Sequence, residues 1–152
     1  MFDDIYNRKI LELAANIPLL GRLPAPQASA SAYSRLCGSS ITIDLSLAEG
    51  KVVDYAQDVK ACALGQAASS VMGGNIIGAS PQELRALRET MRKMLKENGP
   101  PPQGRFAEAG YLEPARDYKA RHASILLVFD AVAQALDEIE KPLDAIEQGA
   151  AG

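Results

Sequence analysis

The alternation of apolar and polar residues predicts an early helix and, after it, a β-hairpin. From Asp3 to Asn16 apolar residues recur at helical spacing, and Pro18 is expected to end this helix. Its apolar face consists of Ile5, Tyr6, Ile10, Leu13 and Ile17. The stretch "SITIDLSL" alternates strictly between apolar and polar residues, which is the period of a half-buried strand. After a Gly-containing turn, "KVVDYAQDVK" is expected to return as the second strand of the hairpin.

The returning strand is expected to place Val53, Tyr55 and Val59 on one face. The segment 19–34 before the hairpin is rich in Gly, Pro, Ala and Ser, a composition typical of an ordered loop or a mobile linker. The end of this segment, just before Cys37, is a weak candidate for a third strand. The sheet is therefore expected to contain two or three antiparallel strands.

The segments after Ala61 have a helical pattern. "CALGQAASSVMGG" is a run of small residues suited to close helix packing, and "SPQE" at 80–83 is a capping box with proline at the first helical position. The apolar seam of the helix that it opens consists of Leu84, Leu87, Met91 and Met94. "NGPPPQG" is expected to end that helix, and an irregular stretch is expected as far as Tyr118. A last helix is predicted from Arg121 to Glu140.

The order of a helix, a small antiparallel sheet and several further helices predicts an α+β fold. With 152 residues the chain has the length of one ordinary domain. We expect that domain at residues 1–140 and a flexible C-terminal tail at 141–152.

The net charge, the first residues and the lengths of the apolar segments limit the classes of function that fit this chain. The formal charge of −3 argues against nucleic acid as a partner, because phosphate binding needs a basic surface. The first residues mix charged with apolar side chains, unlike a signal peptide, and no segment is apolar for long enough to span a membrane. We therefore expect a cytoplasmic protein with reduced thiols. Its two cysteines then suggest metal binding or reactive chemistry before a disulfide, or else they are small buried hydrophobic residues.

The candidate chemistry rests on Cys37, Cys62 and His122, each at the predicted boundary of an element. A helix N-terminus stabilises a thiolate and disfavours a charged imidazole, so both side chain types are suited to bind metal there. Two thiolates and one imidazole form a reasonable zinc set with one open position, or a partial set for an iron–sulfur cluster. Two alternatives remain: His122 is a polar helix-start residue without a ligand, or Cys62 and His122 form a nucleophile–base pair.

Several stretches in sequence order carry a resemblance to a known family. "CGSSITIDLSL", "GKVVDYAQDVKACALGQAASS" and "RHASILLVFDAVAQAL" resemble the U-type iron–sulfur cluster assembly scaffolds, which include NifU N-terminal domains, IscU and SufU. That family has a Cys-Gly-Asp that opens a hairpin, a second cysteine that begins an Ala/Ser-rich helix, and a cysteine, often after a histidine, that begins the last long helix. The irregular stretch before Tyr118 resembles the insertion of the SufU-like branch.

The resemblance implies a small sheet packed on helices, and a non-enzymatic platform for a transient iron–sulfur cluster. A cysteine desulfurase would deliver the sulfur, and apo-protein acceptors would receive the cluster. A homo-oligomer is also compatible with the resemblance. Cys37 and Cys62 match two of the three ligand cysteines of the family, and His122 matches its histidine. Ala123 stands where the third cysteine is expected, and Ser39 where the aspartate is expected. The Leu-Pro-Pro-Val-Lys motif of the IscU branch is absent.

Two other functions stay open at this point. The fold is also compatible with an interaction module that holds no metal, or with a zinc-binding regulator that uses the same three residues. A basic stripe on the helix after "SPQE" is either a docking face for an acidic partner or a solvated face interleaved with glutamates. The stripe consists of Arg85, Arg88, Arg92 and Lys96.

Overall fold

Four α-helices, three strands and a 3₁₀ segment make up the computed structural model, which describes residues 7–35 and 38–151, the side chains of 141–151 excepted. In chain order these are α1 (Arg8–Ala15), β1 (Ala28–Ser34), β2 (Ser39–Ala48), β3 (Lys51–Lys60), α2 (Ala63–Asn75), α3 (Pro81–Lys96), the 3₁₀ segment (Gly104–Asp117) and α4 (Lys119–Ala151). The predicted α+β fold is confirmed. None of the described helices is long and apolar enough to cross a bilayer.

The sheet is antiparallel with the order β1-β2-β3, so the predicted hairpin is present and β1 is the third strand. The loop or linker predicted for 19–34 is therefore wrong over Ala28–Ser34. β1 has the sequence ASASAYS, in which alanines alternate with more exposed residues. Because alanine and serine differ little in hydrophobicity, the alternation is faint, and pairing with β2 makes the segment a strand.

A β-bulge changes which valine of β3 is buried. Ser46 pairs with Asp54 but Leu47 pairs with Val52, so Val53 is the extra residue of the bulge. Val52 is 1% exposed, whereas Val53 is 52% exposed. The predicted face was right for Tyr55, which is fully buried, and wrong for Val53. A bulge shifts the two-residue period by one position, so strict alternation could not reveal it.

The segment before β1 is an ordered loop fastened to the sheet by Asp44. This carboxylate is 0% exposed and accepts bonds from Arg22 Nε at 2.7 Å and from the Leu23 amide at 3.0 Å. The Ser29 hydroxyl donates to the same carboxylate. At the other sheet edge the Gly21 amide donates to the Gln57 carbonyl at 2.8 Å. The loop thus spans the sheet from β3 to β1, and covers the side of β2 that carries Asp44.

Capping fixes the starts of two helices. The Asn7 side chain accepts a bond from the Ile10 amide, so α1 begins at Arg8 rather than at the predicted Asp3; residues 1–6 lie outside the described part of the chain. The Ser80 hydroxyl accepts from the Glu83 amide at 3.1 Å, as the capping box predicted. The apolar seam predicted for α3 is buried in full.

The stretch expected to be irregular is a 3₁₀ segment that buries Phe106, Ala109, Leu112 and Ala115. These buried residues recur every three positions and alternate between large and small side chains. The sequence therefore shows no clear α-helical pattern in this segment. α4 follows it at once, begins at Lys119 rather than Arg121, and continues to Ala151. This helix lies against β1, β2, α2 and α3 and is the central element of the core.

The basic stripe on α3 is largely paired within the molecule. Arg85 Nη1 lies 2.7 Å from Asp137 Oδ1, and Arg88 Nε lies 2.7 Å from Asp130 Oδ1, both on α4. Arg92 pairs with Glu89 and Glu97. Arg85 and Arg88 therefore join α3 to α4, and Arg92 is paired with glutamates of its own helix and C-cap. These pairs favour the solvated face interleaved with glutamates over a docking face.

Candidate functional site

Cys62 lies at the predicted boundary between β3 and α2. It is the N-cap residue of α2, with extended backbone angles and no capping bond from its own side chain. Its thiol is half-buried and lies 3.2 Å from the Ser124 hydroxyl on α4. The start of α2 and the start of α4 therefore meet at this sulfur.

Two serines extend this contact towards the hairpin. The Ser124 hydroxyl lies 3.1 Å from that of Ser39, the first residue of β2, and both side chains are buried, at 1% and 2% exposure. Three elements thus meet in one chain of hydrogen-bonding groups, Ser39–Ser124–Cys62. From the sequence, Ser39 was identified only as the residue that stands where the family has an aspartate, and Ser124 was not predicted. The available signal was its position two residues after His122, near the start of the predicted last helix.

Gly65 allows the two helix starts to come this close. A Cβ atom at Gly65 would lie 2.7 Å from Ser124 Oγ, 2.8 Å from Ala61 Cβ and 3.2 Å from the Ser124 carbonyl oxygen. Real Cβ atoms essentially never approach other atoms to less than 3.0 Å. The run of small residues that predicted close helix packing therefore lies at this site, where it allows α2 and α4 to pack closely.

His122 lies in the first turn of α4 and is 3% exposed. Its Nε2 atom lies 3.1 Å from the Ala115 carbonyl oxygen and 3.0 Å from the Arg116 carbonyl oxygen. Because carbonyl oxygens only accept, Nε2 must carry the hydrogen, and in the neutral ring Nδ1 is then the atom with a free lone pair. His122 and Ser124 are two positions apart on a helix, so they leave it in nearly opposite directions.

The structure therefore brings together only part of the predicted ligand set. Cys62 and the start of α4 meet, but no described contact joins His122 to Cys62. Cys37 lies outside the described residues. Ser34, the last residue of β1, and Ser39, the first residue of β2, pair with each other in the sheet. Ala123 is exposed between the two buried residues His122 and Ser124. Within residues 7–35 and 38–140, no group of three Cys, His, Asp or Glu side chains is placed to hold a metal ion.

The chain is similar in sequence to known proteins. The family described as "NifU-like N terminal domain" matches residues 5–123. The iron–sulfur cluster assembly scaffold protein IscU of Thermotoga maritima is 27% identical over 143 residues, which cover 93% of this chain and 99% of the relative.

Solved structures show the same fold. The N-terminal part of a NifU-like protein from Brucella abortus is 58% identical, with a TM-score of 0.91 over 92% of this chain and 97% of its own. A SUF-system scaffold from Fervidobacterium islandicum, 21% identical, has a TM-score of 0.81 over 88% of this chain and 98% of its own. The chain therefore belongs to the family of NifU-like N-terminal domains.

Proposed function

We propose that this protein is an assembly scaffold for iron–sulfur clusters, without enzymatic activity of its own, and that Cys37, Cys62 and His122 hold its transient cargo. The observation that carries the proposal is the 3.2 Å contact of the Cys62 thiol with Ser124, which sets the sulfur of the N-cap residue of α2 against the first turns of α4. Family membership and the printed function of the Thermotoga maritima relative support it.

Chain connectivity supports the inclusion of Cys37. Ser39 is hydrogen-bonded to Ser124, which in turn contacts Cys62. Cys37 is two residues from Ser39, and two residues span at most about 7 Å between Cα atoms. Cys37 is therefore two residues along the chain from a serine that is linked, through Ser124, to the Cys62 sulfur.

The bonds of His122 support its inclusion through Nδ1. A metal-binding histidine usually donates its other ring hydrogen to a carbonyl or carboxylate, which fixes the ring and its tautomer. The Ala115 and Arg116 carbonyl oxygens do this for Nε2.

Replacement of the third family cysteine by Ala123 limits how tightly cargo is held. Two thiolates and one imidazole leave a cluster short of the usual four protein ligands. A second subunit or a small thiol would complete the set, since Ala123 is exposed and leaves room beside it. An incomplete set suits a protein that receives sulfur from a cysteine desulfurase and passes the cluster to an apo-protein acceptor.

Anaerobic reconstitution of variants tests the proposal. Wild type incubated with ferrous iron and sulfide is expected to bind both, whereas Cys37→Ser and Cys62→Ser are expected to retain only background iron, because a hydroxyl is a poor substitute for a thiolate ligand. His122→Gln should retain less iron than wild type. Iron and sulfide per chain are measured after desalting.

Ser70→Ala is the matched control. Ser70 is a buried serine on α2 whose hydroxyl bonds to the Asn16 carbonyl oxygen at 3.4 Å, away from Cys62. It should bind as much iron as wild type. Equal iron in wild type and both cysteine variants would contradict the ligand set.

A second candidate is an interaction module that holds no metal. It is favoured by the lack of a three-donor group among the described residues and by the direction of His122 Nε2. In that case wild type would bind neither iron nor sulfide but would still bind a cysteine desulfurase.

A further inference from the structure

The strongest unassigned feature is the buried chain Ser39–Ser124–Cys62. We infer that Ser124 is a positioning residue, whose hydroxyl donates a hydrogen bond to the Cys62 sulfur when that sulfur holds metal, and that Ser39 orients Ser124. This inference rests on the proposed function and adds two residues to it, neither of which is a ligand.

The direction of the bonds follows from the chemistry of the ligand. A metal-bound cysteine is a thiolate without a hydrogen, so its sulfur only accepts. Ser124 Oγ, 3.2 Å away, must then be the donor. With its own hydrogen used in this way, Ser124 Oγ is left as an acceptor towards Ser39 Oγ at 3.1 Å, so Ser39 donates.

Burial makes this arrangement specific. Ser124 is 1% exposed and Ser39 is 2% exposed, so water does not compete for either hydroxyl. The packing of Gly65 against Ser124 holds the hydroxyl over the start of α2. A buried hydroxyl is costly unless it is bonded, and here the sulfur and the second serine satisfy it.

The same arrangement gives Ser39 an indirect role. Its buried hydroxyl lies against Ser124, so it supports the sulfur through that residue. Hydrogen bonds to ligand sulfurs tune the electronic properties of a metal site, and loss of such a supporting partner typically costs about 10–100-fold in metal affinity.

Cobalt(II) binding is the test, because the sulfur-to-cobalt charge-transfer band reports on the sulfur directly. Ser124→Ala is expected to weaken Co²⁺ binding about 10-fold or more, and to move the band to lower energy, since a sulfur without its donor is richer in electrons. Ser39→Ala should give a smaller change of the same sign. Ser70→Ala, which removes a hydroxyl that donates to the Asn16 carbonyl oxygen instead of contacting Cys62, should match wild type in both readouts.

The outcomes separate the two claims. If wild type binds no Co²⁺, the result contradicts the proposed function and, with it, this inference. Wild type that binds, together with Ser124→Ala that binds within twofold of it, overturns the role of Ser124 alone. Weaker binding with an unmoved band would also overturn it, because Ser124 would then merely support the fold.

Discussion

Gly65→Ala is expected to lower the free energy of unfolding by about 1–3 kcal/mol and to reduce cluster binding in the same variant. The new Cβ would lie 2.7 Å from Ser124 Oγ and 2.8 Å from Ala61 Cβ, so the starts of α2 and α4 must separate. This separation would pull Cys62 away from Ser124. Chemical denaturation measures the loss of stability, and iron retained after anaerobic reconstitution measures the loss of binding.

Gly74→Ala is the control on the same helix. A Cβ at Gly74 would meet nothing within 4 Å, and alanine is a better helix former than glycine by about 1 kcal/mol. Its stability should equal or exceed that of wild type, with unchanged iron binding. A Gly65→Ala protein as stable as Gly74→Ala would show that the two helix starts are not in close contact.

Asp44→Ala is expected to cost about 3 kcal/mol of stability, because it removes the acceptor that fastens the loop before β1. The Leu23 amide and the Ser29 hydroxyl would lose their partner, and Arg22 would lose its ion pair. Thermal or urea unfolding measures this cost. Asp58→Ala, an exposed carboxylate on β3, should stay within about 0.5 kcal/mol of wild type.

The same carboxylate gives the wild type a defined acid sensitivity. Arg22, which donates hydrogen bonds to Asp44, is the main cause that lowers the pKa of Asp44 to about 2, with help from Ser29 and the Leu23 amide. A lowered pKa stabilises the folded state above the ordinary carboxyl pKa, and that contribution disappears as the pH falls towards 2. It amounts to about 2 kcal/mol.

Unfolding free energies of wild type between pH 5 and pH 2 should therefore fall by this amount more than those of Asp44→Ala. Parallel pH profiles for the two proteins would contradict the assignment. The comparison also separates Asp44 from the other carboxylates, which titrate in both proteins.

Local patterns in the sequence were sufficient for most of the fold. The hairpin, the capping box at Ser80 and the seam of α3 follow from periods of two and 3.6 residues, which are properties of a segment on its own. β1 and the bulge at Val53 depend on pairing with another strand. Their residues, alanine and serine in one case and two adjacent valines in the other, carry no local signal of that pairing.

The candidate site divides in the same way. Cys62 at the start of α2 and His122 at the start of α4 were predictable, because helix starts can be located from the sequence. The faces on which the two helices meet were not predictable from the sequence. Ser124 contacts Cys62 only because Gly65 lets two helices, 62 residues apart at the contact, approach closely. The direction of His122 Nε2 likewise depends on the carbonyl oxygens at the end of the 3₁₀ segment.

Native mass spectrometry of wild type after anaerobic reconstitution with iron and sulfide tests the central claim most directly, since it counts both atoms on the intact chain and shows any subunit or small thiol that completes the site. Iron and sulfide are expected to bind together, near stoichiometrically, and both are expected to be lost in Cys62→Ser. Protein that stays free of metal, or that binds zinc alone and takes up no sulfide, would contradict it.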